Sequence, residues 1–266
     1  MAQEKWLVEG PKVIDIGLIR SLKVSMVAGQ VDIVGHDEPE TRIEVHSVVG
    51  RDLLINVTGD RLEIDHPQLR WDNVIDVFSS FRGNARADVS IMVPRDIALK
   101  FGVVGASALI SGLTGEASIS TVTGDIVVDG LAGDLTLNSV GGEISVRNHT
   151  GTIAAHSVNG DITATGAISR FTTEAVSGNL FLDLEGHPRE VRVNSVTGDI
   201  TVRLAPDVAT EYRINSATGK VQLDGADIAT VRGGYSGKFG QLDESWLEFK
   251  ANTVSGAVSV LHAVSA

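Results

Sequence analysis

The sequence predicts an all-β fold: a single-stranded parallel β-helix (β-solenoid) of ~18–21 residues per turn, with a strand-rich excursion near the N-terminus. Three observations carry the prediction. First, a Ser/Thr-Val-x-Gly-Asp/Glu signature recurs, as in Thr121-Val122-Thr123-Gly124-Asp125, Ser139-Val140-Gly141-Gly142-Glu143 and Ser157-Val158-Asn159-Gly160-Asp161. Its glycines stand at 124, 142, 160, 178, 198, 219 and 256, in steps of 18, 18, 18, 20, 21 and 37 residues. A short, nearly constant period marks stacked structural units. Second, apolar residues around each signature fall two apart, the strand period with one face buried. Third, 42% of the chain is hydrophobic but only 5% aromatic, with 29 Gly against 6 Pro. An aliphatic core with turns built on glycine follows from that balance.

Numbering each copy from its Val as position zero aligns the elements of one turn. Position zero holds Val122, Val140, Val158, Val176, Val196, Ala217 and Val254, read as core. Four residues on stand Ile126, Ile144, Ile162, Leu180, Ile200, Val221 and Val258; six on stand Val128, Val146, Ala164, Leu182, Val202, Leu223 and Val260. Before the Val, at minus five and minus three, come pairs such as Leu135/Leu137, Ile153/Ala155, Val191/Val193 and Phe249/Ala251. Each turn therefore has two short strands with the signature Gly at the corner between them, where positive φ is available. A second corner carries Gly112-Leu113-Thr114-Gly115 and Gly130-Leu131-Ala132-Gly133, echoed by Asn148-His149-Thr150-Gly151. Stacked turns pair like strands in parallel, about 4.8 Å apart. Two strands per turn favour a flattened cross-section, and the general preference of parallel crossovers makes the coil right-handed.

The same frame fits Leu22, Val24, Val27, Gly29, Val31 and Ile33, so the solenoid is expected to begin there and the chain to form one domain over 1–266. Residues 1–102 would hold a first turn plus the excursion, 103–224 the regular turns, 225–250 a loop or cap, and 251–266 the last turn and tail. Strands are expected at Thr41–Val45, Leu53–Val57, Arg61–Ile64 and Ala87–Val93. Between them Trp71, Phe78 and Phe81 cluster. With Tyr235 and Trp246 they form the candidate interaction surface, the alternative for the cluster being a packed lid. The end of the stack is expected at the last turn, covered by Gly225–Glu248 or by another copy.

A formal charge of −12 without a basic patch argues against nucleic acid. The absence of cysteine excludes disulfides and thiolate sites. No leader pattern and no apolar run long enough for a membrane helix stand in the sequence, so the expected location is cytoplasmic, with no membrane insertion. The acid column after the Gly, Asp125, Glu143, Asp161, Asn179 and Asp199, invites comparison with paired carboxylates of glycosidases. Turn chemistry accounts for it better, since Asn179 and Lys220 occupy the column without breaking the repeat. Ser and Asn columns beside the Val read as hydrogen-bonded ladders. No nucleotide fingerprint, metal-ligand spacing or catalytic triad appears, so no catalytic, cofactor-binding or metal residue is named and no cofactor is expected.

The run Val89-Ser90-Ile91-Met92-Val93-Pro94, the repeated Ser-Val-x-Gly-Asp-Ile, and the opening Val27-Ala28-Gly29-Gln30-Val31-Asp32-Ile33 with Asp37-Glu38-Pro39-Glu40 together resemble a known family. It is the bacterial β-strand-repeat domain of unknown function often labelled "putative adhesin", and the resemblance covers about residues 22–262. The resemblance implies a β-helix without established enzymatic activity. The expected function is a non-enzymatic scaffold or protein-interaction module, adhesin-like, with a protein partner or self-association. The alternative is a carbohydrate-binding or carbohydrate-processing β-helix.

Overall fold

The structure, a computed structural model, describes residues 3–66, 85–228, 234–242 and 245–263. Trp71, Phe78 and Phe81 lie outside the described residues, as do residues 229–233 and 243–244 of the predicted 225–250 loop. Every regular element among the described residues is a strand. The chain divides into two compact units, Met1–Ile126 and Val127–Ala266.

In the first unit the strands are β1 (Gln3–Val8), β2 (Lys12–Ile16), β3 (Ser21–His36), β4 (Thr41–Val49), β5 (Leu53–Thr58), β6 (Arg61–Asp65), β7 (Arg86–Pro94), β8 (Ala98–Ser111) and β9 (Ala117–Thr121). The long β3 bends midway and takes part in two layers. Its first half pairs in parallel with β6 on one side and β8 on the other; its second half pairs in parallel with β7 and β8. Antiparallel strands finish both layers: β5 and then β1 beyond β6, β4 and then β2 beyond β7. The predicted excursion strands are thus the outer strands of these layers, and Lys5 and Lys12 decorate the terminal ones, a common protection of sheet edges.

The second unit holds β10 (Ile126–Asp129), β11 (Ala132–Ser139), β12 (Ile144–Ser157), β13 (Ile162–Ala175), β14 (Leu180–Leu184), β15 (Glu190–Thr197) and β16 (Ile200–Leu204). It continues with β17 (Thr210–Ser216), β18 (Val221–Leu223), β19 (Ala226–Ile228), β20 (Tyr235–Phe239), β21 (Leu247–Ser255) and β22 (Val258–His262). Parallel registers link coil to coil as the columns require. Leu135 pairs with Ile153, Ile153 with Phe171 and Phe171 with Val191. On the opposite arm Ile144 pairs with Ile162, Ile162 with Leu180 and Leu180 with Ile200. All of these side chains are buried. The fold is all-β and solenoid-like.

Chain order and spatial order part at the C-terminal end. Val191 pairs with Phe249, and Phe249 with Tyr212; Ile200 pairs with Val258, and Val258 with Val221. The last turn of the chain therefore does not end the stack. It sits between the coil of residues 190–204 and that of 210–223, and the exposed side of the latter is covered by β20 and β19, antiparallel to β17 and β18. The 37-residue step between Gly219 and Gly256 records this insertion. The loop expected as a cap does cover a coil, but that of 210–223.

The position-zero residues are not core. Val140, Val158, Val176, Val196 and Val254 are each 42–53% exposed. Strand alternation explains it: minus five, minus three and minus one point inward, so zero must point out. The inward residue is the Ser or Thr before the Val; Ser139, Ser157, Ser216 and Thr253 are buried. The Ser157 hydroxyl donates to the Gly160 carbonyl (2.9 Å) and accepts from the Gly160 N–H (3.1 Å). Thr121 makes the same pair with Gly124, at 2.8 and 3.0 Å. The Ser139 hydroxyl donates to the Gly142 carbonyl, and that of Ser216 accepts from the Gly219 N–H. At these four corners the bracket is what the three-residue spacing from hydroxyl to glycine encodes; with the same spacing, the Ser195 hydroxyl donates to the Thr197 carbonyl and the Thr253 hydroxyl has no protein partner.

The glycine itself is required by close approach. A β-carbon on Gly160 would collide with the carbonyl of Gly142 in the neighbouring coil.

Ala175 lacks the bracket hydroxyl, and a void of about 10 Å³ lies there beside Thr173, whose buried hydroxyl has no protein partner. Replacing Ser157 by Ala should destabilise the fold by about 1–3 kcal/mol, because buried polar groups of Gly160 lose their partner. Ala175→Ser should add about 0.5–1.5 kcal/mol by supplying the missing hydroxyl. Urea denaturation of the three proteins checks both signs.

Candidate functional site

One corner of the second unit gathers three outward columns. The Val column runs in spatial order Val140, Val158, Val176, Val196, Val254 and Ala217. Two residues before each stand Asn138, His156, Glu174, Asn194, Asn252 and Asn215; one residue after each stand Gly141, Asn159, Ser177, Thr197, Ser255 and Thr218. In a chain that is 21% charged, these columns contain no Lys or Arg and a single carboxylate, Glu174, with His156 beside it at 3.9 Å.

The polar members are locked along the coil axis. Asn215 Nδ2 donates to Asn252 Oδ1 and Asn252 Nδ2 to Asn194 Oδ1, both at 2.8 Å. The hydroxyls of Ser177, Thr197 and Thr218 donate to the carbonyls of Val158, Val176 and Val254. Asn215 and Asn252 each spend one donor on the next amide, Asn194 accepts, and the amides keep further hydrogen-bonding capacity for a ligand. Between the Asn and Val columns runs an open groove of about 670 Å³, lined by Glu174, Asn194, Asn252, Val196, Val254 and Ala217 among others. Its size falls within the range of ligand-binding clefts, roughly 300–1,000 Å³.

The acid column plays a different part. Asp161 Oδ1 accepts the backbone N–H of Asn179 (2.7 Å), Asn179 Oδ1 that of Asp199 (3.1 Å), and Asp199 Oδ1 that of Ala257 (2.8 Å). These side chains join one coil to the next, which is turn chemistry with the partner in the following turn. An amide serves at 179 because only an acceptor oxygen is needed.

Two histidines are buried, His66 and His149, and burial pushes both imidazoles below their ordinary pKa. Each has a structural partner: His66 Nδ1 accepts from the Val27 N–H at 3.4 Å, and His149 Nε2 lies 3.3 Å from the Thr152 carbonyl. Among the described residues no group of three or more His, Asp and Glu is placed to hold a metal. Nor is any helix long and apolar enough to cross a membrane.

Of the sequence-predicted surface residues, Tyr235 is half-buried on β20 and its ring lies over Gly237 of the same strand, where a β-carbon would strike the phenol. That placement shields the glycine of an outer strand. Trp246 is exposed just before β21, and neither residue lines the groove. The Val column was in view in the sequence but assigned to the wrong side. Unbroken alternation from minus five was the signal that could have placed it.

The Toastrack DUF4097 family model matches residues 19–261. The chain belongs to the Toastrack DUF4097 family. Similar solved structures include bacterial proteins. One is named a putative adhesin from Bacteroides fragilis, at 10% identity over 94% of this chain and 97% of that one, with a TM-score of 0.52. A putative lipid binding protein from Parabacteroides distasonis shares 10% identity over 95% and 97%, with a TM-score of 0.49. A putative adhesin from Parabacteroides merdae shares 12% identity over 97% and 96%, with a TM-score of 0.39. The Bacteroides fragilis likeness concerns the fold alone. No curated protein matches the chain. This Toastrack chain thus has a family and a fold, while its site rests on its own geometry.

Asp161→Asn should leave stability within about 0.5 kcal/mol, since the amide oxygen still accepts the Asn179 N–H. Asp161→Ala should cost about 1 kcal/mol. Thermal melts of the pair check it, and a large loss on Asp161→Asn would mean that the charge itself matters.

Proposed function

We propose that this Toastrack protein is a non-enzymatic interaction module that takes a protein partner along the charge-poor corner of its second unit. The supporting observation is the exposed Val column beside the Asn ladder, in a chain of net charge −12. Exposed aliphatic rows are costly to leave in water, and the cores of interfaces are depleted of charge. Stacked coils make the row straight and rigid, so little ordering entropy is lost on docking. Among the described residues no aromatic side chain lines the groove, which favours a polypeptide over the carbohydrate alternative. The adhesin names of the bacterial neighbours agree with an interaction role. The same reading takes the coils of the second unit as turns of a single-stranded, right-handed β-helix, a hand that rests on the general crossover preference.

The test replaces Val196 by Glu. Its side chain is 45% exposed, so folding should be unaffected while the apolar row gains a charge. Partners captured from the native host by the wild type should fall at least about tenfold with Val196→Glu, as expected for about 1.4 kcal/mol at an interface core. An unchanged partner set with an unchanged melt would refute the corner as the binding face.

A further inference from the structure

The inserted C-terminal coil has a consequence for assembly. Residues 247–262 are paired on both edges with segments remote in sequence: β21 between β15 and β17, β22 between β16 and β18. The slot is matched to this segment at every level. Phe249 lies in the column between Val191 and Tyr212 and meets the Tyr212 ring edge-on at 6.0 Å. Gly256 stands between Gly198 and Gly219, at both of which contacts a β-carbon would collide with backbone. Asn252 bridges Asn194 and Asn215. The Ala257 N–H is held by Asp199, and the His262 N–H by Asp224 (2.8 Å each).

None of these contacts depends on the segment belonging to the same copy. A second copy offers the identical segment in the identical register, so the bonds made in cis and in trans are the same and concentration sets the balance. The approach to the segment is exposed at Gly240, Gln241, Ser245 and Trp246, and Gly240 has φ +70°, a conformation open to glycine. A slot without its insert would show two parallel strand edges, the surface most prone to accept another strand.

We propose that two copies of this chain exchange residues 247–262, each filling the slot of the other. Asn252, Thr253 and Val254 line the corner groove, so in the exchanged dimer one wall of each groove comes from the partner copy. The exchange rests on strand order and not on what the groove binds. Its failure would leave the proposed docking face untouched.

The chain has no cysteine, which makes a cross-linking test clean. Asn194→Cys and Asn252→Cys are prepared as separate variants. The two positions are paired on adjacent strands, about 4.8 Å apart and within the ~4.4–6.8 Å span of a disulfide. A disulfide between the two variants in this geometry requires exchange. After unfolding, mixing and refolding under mild oxidation, the mixture should give a covalent dimer in excess of either variant refolded alone. Should either variant not fold, Thr201→Cys and Ser259→Cys test the same seam on the other arm. Light scattering of the wild type should show a dimer-to-monomer ratio that rises about tenfold for a tenfold higher refolding concentration. A 28.0 kDa monomer at every concentration would overturn the proposal. So would a dimer that forms without excess cross-linking, since it would be held by another contact.

Discussion

The contact on which the second unit depends is backbone against backbone at the signature corner. Parallel coils stand about 4.8 Å apart, and at the corner the chain of one coil presses on the carbonyl of the next. Gly160 over Gly142, Gly198 over Gly178 and Gly256 over Gly198 all leave no room for a β-carbon. At Gly124, Gly142, Gly160 and Gly219 the Ser or Thr three residues earlier satisfies polar groups of the corner from inside, while before Gly198 the Ser195 hydroxyl donates to the Thr197 carbonyl instead. Hydroxyl, valine and glycine are thus three parts of one device. The hydroxyl brackets the turn from the core, the glycine admits the neighbouring coil, and the valine is left on the surface.

That last consequence connects fold to function. A hydroxyl committed inward at minus one places the next residue outward, and repetition turns one exposed Val into a row. The neighbouring columns spend their hydrogen bonds along the coil axis, through stacked amides and through hydroxyls on carbonyls. Charge is displaced to other columns: Arg192, Arg213 and Lys250 are paired with Glu190, Glu211 and Glu248 on β15, β17 and β21. The charge-poor corner follows from how the coils are joined.

Much of the fold was legible in the sequence because a strand writes its buried face at every second residue. The columns at minus five, minus three, plus four and plus six are buried as their residues indicate, and the excursion strands stand close to their expected bounds. Hydrophobicity misled where it was read without alternation. Val at position zero is apolar, while the polar Ser beside it is the buried residue, since a hydroxyl with two backbone partners is at home in a core. The place of the last coil was not legible. A 37-residue step fits an insertion before the final turn whether that turn ends the stack or enters it, and only side-chain matches such as Asn194, Asn252 and Asn215 distinguish the two. The groove was hidden with it, because its walls come from coils that are neighbours in space and not in order. Aromatic residues were a poor guide to the surface. Tyr235 covers a glycine, and Phe249 and Tyr212 fill the core.

The corner contact is tested most directly by comparing two glycines. Gly130 sits at φ +64° with open space around a would-be β-carbon, whereas Gly160 has backbone in the way. Urea denaturation of Gly130→Ala should show a loss of about 1–2 kcal/mol, the cost of a left-handed residue. Gly160→Ala should lose clearly more, or fail to fold, because a neighbouring coil must move. A Gly160→Ala protein as stable as wild type, or more stable than Gly130→Ala, would contradict the account.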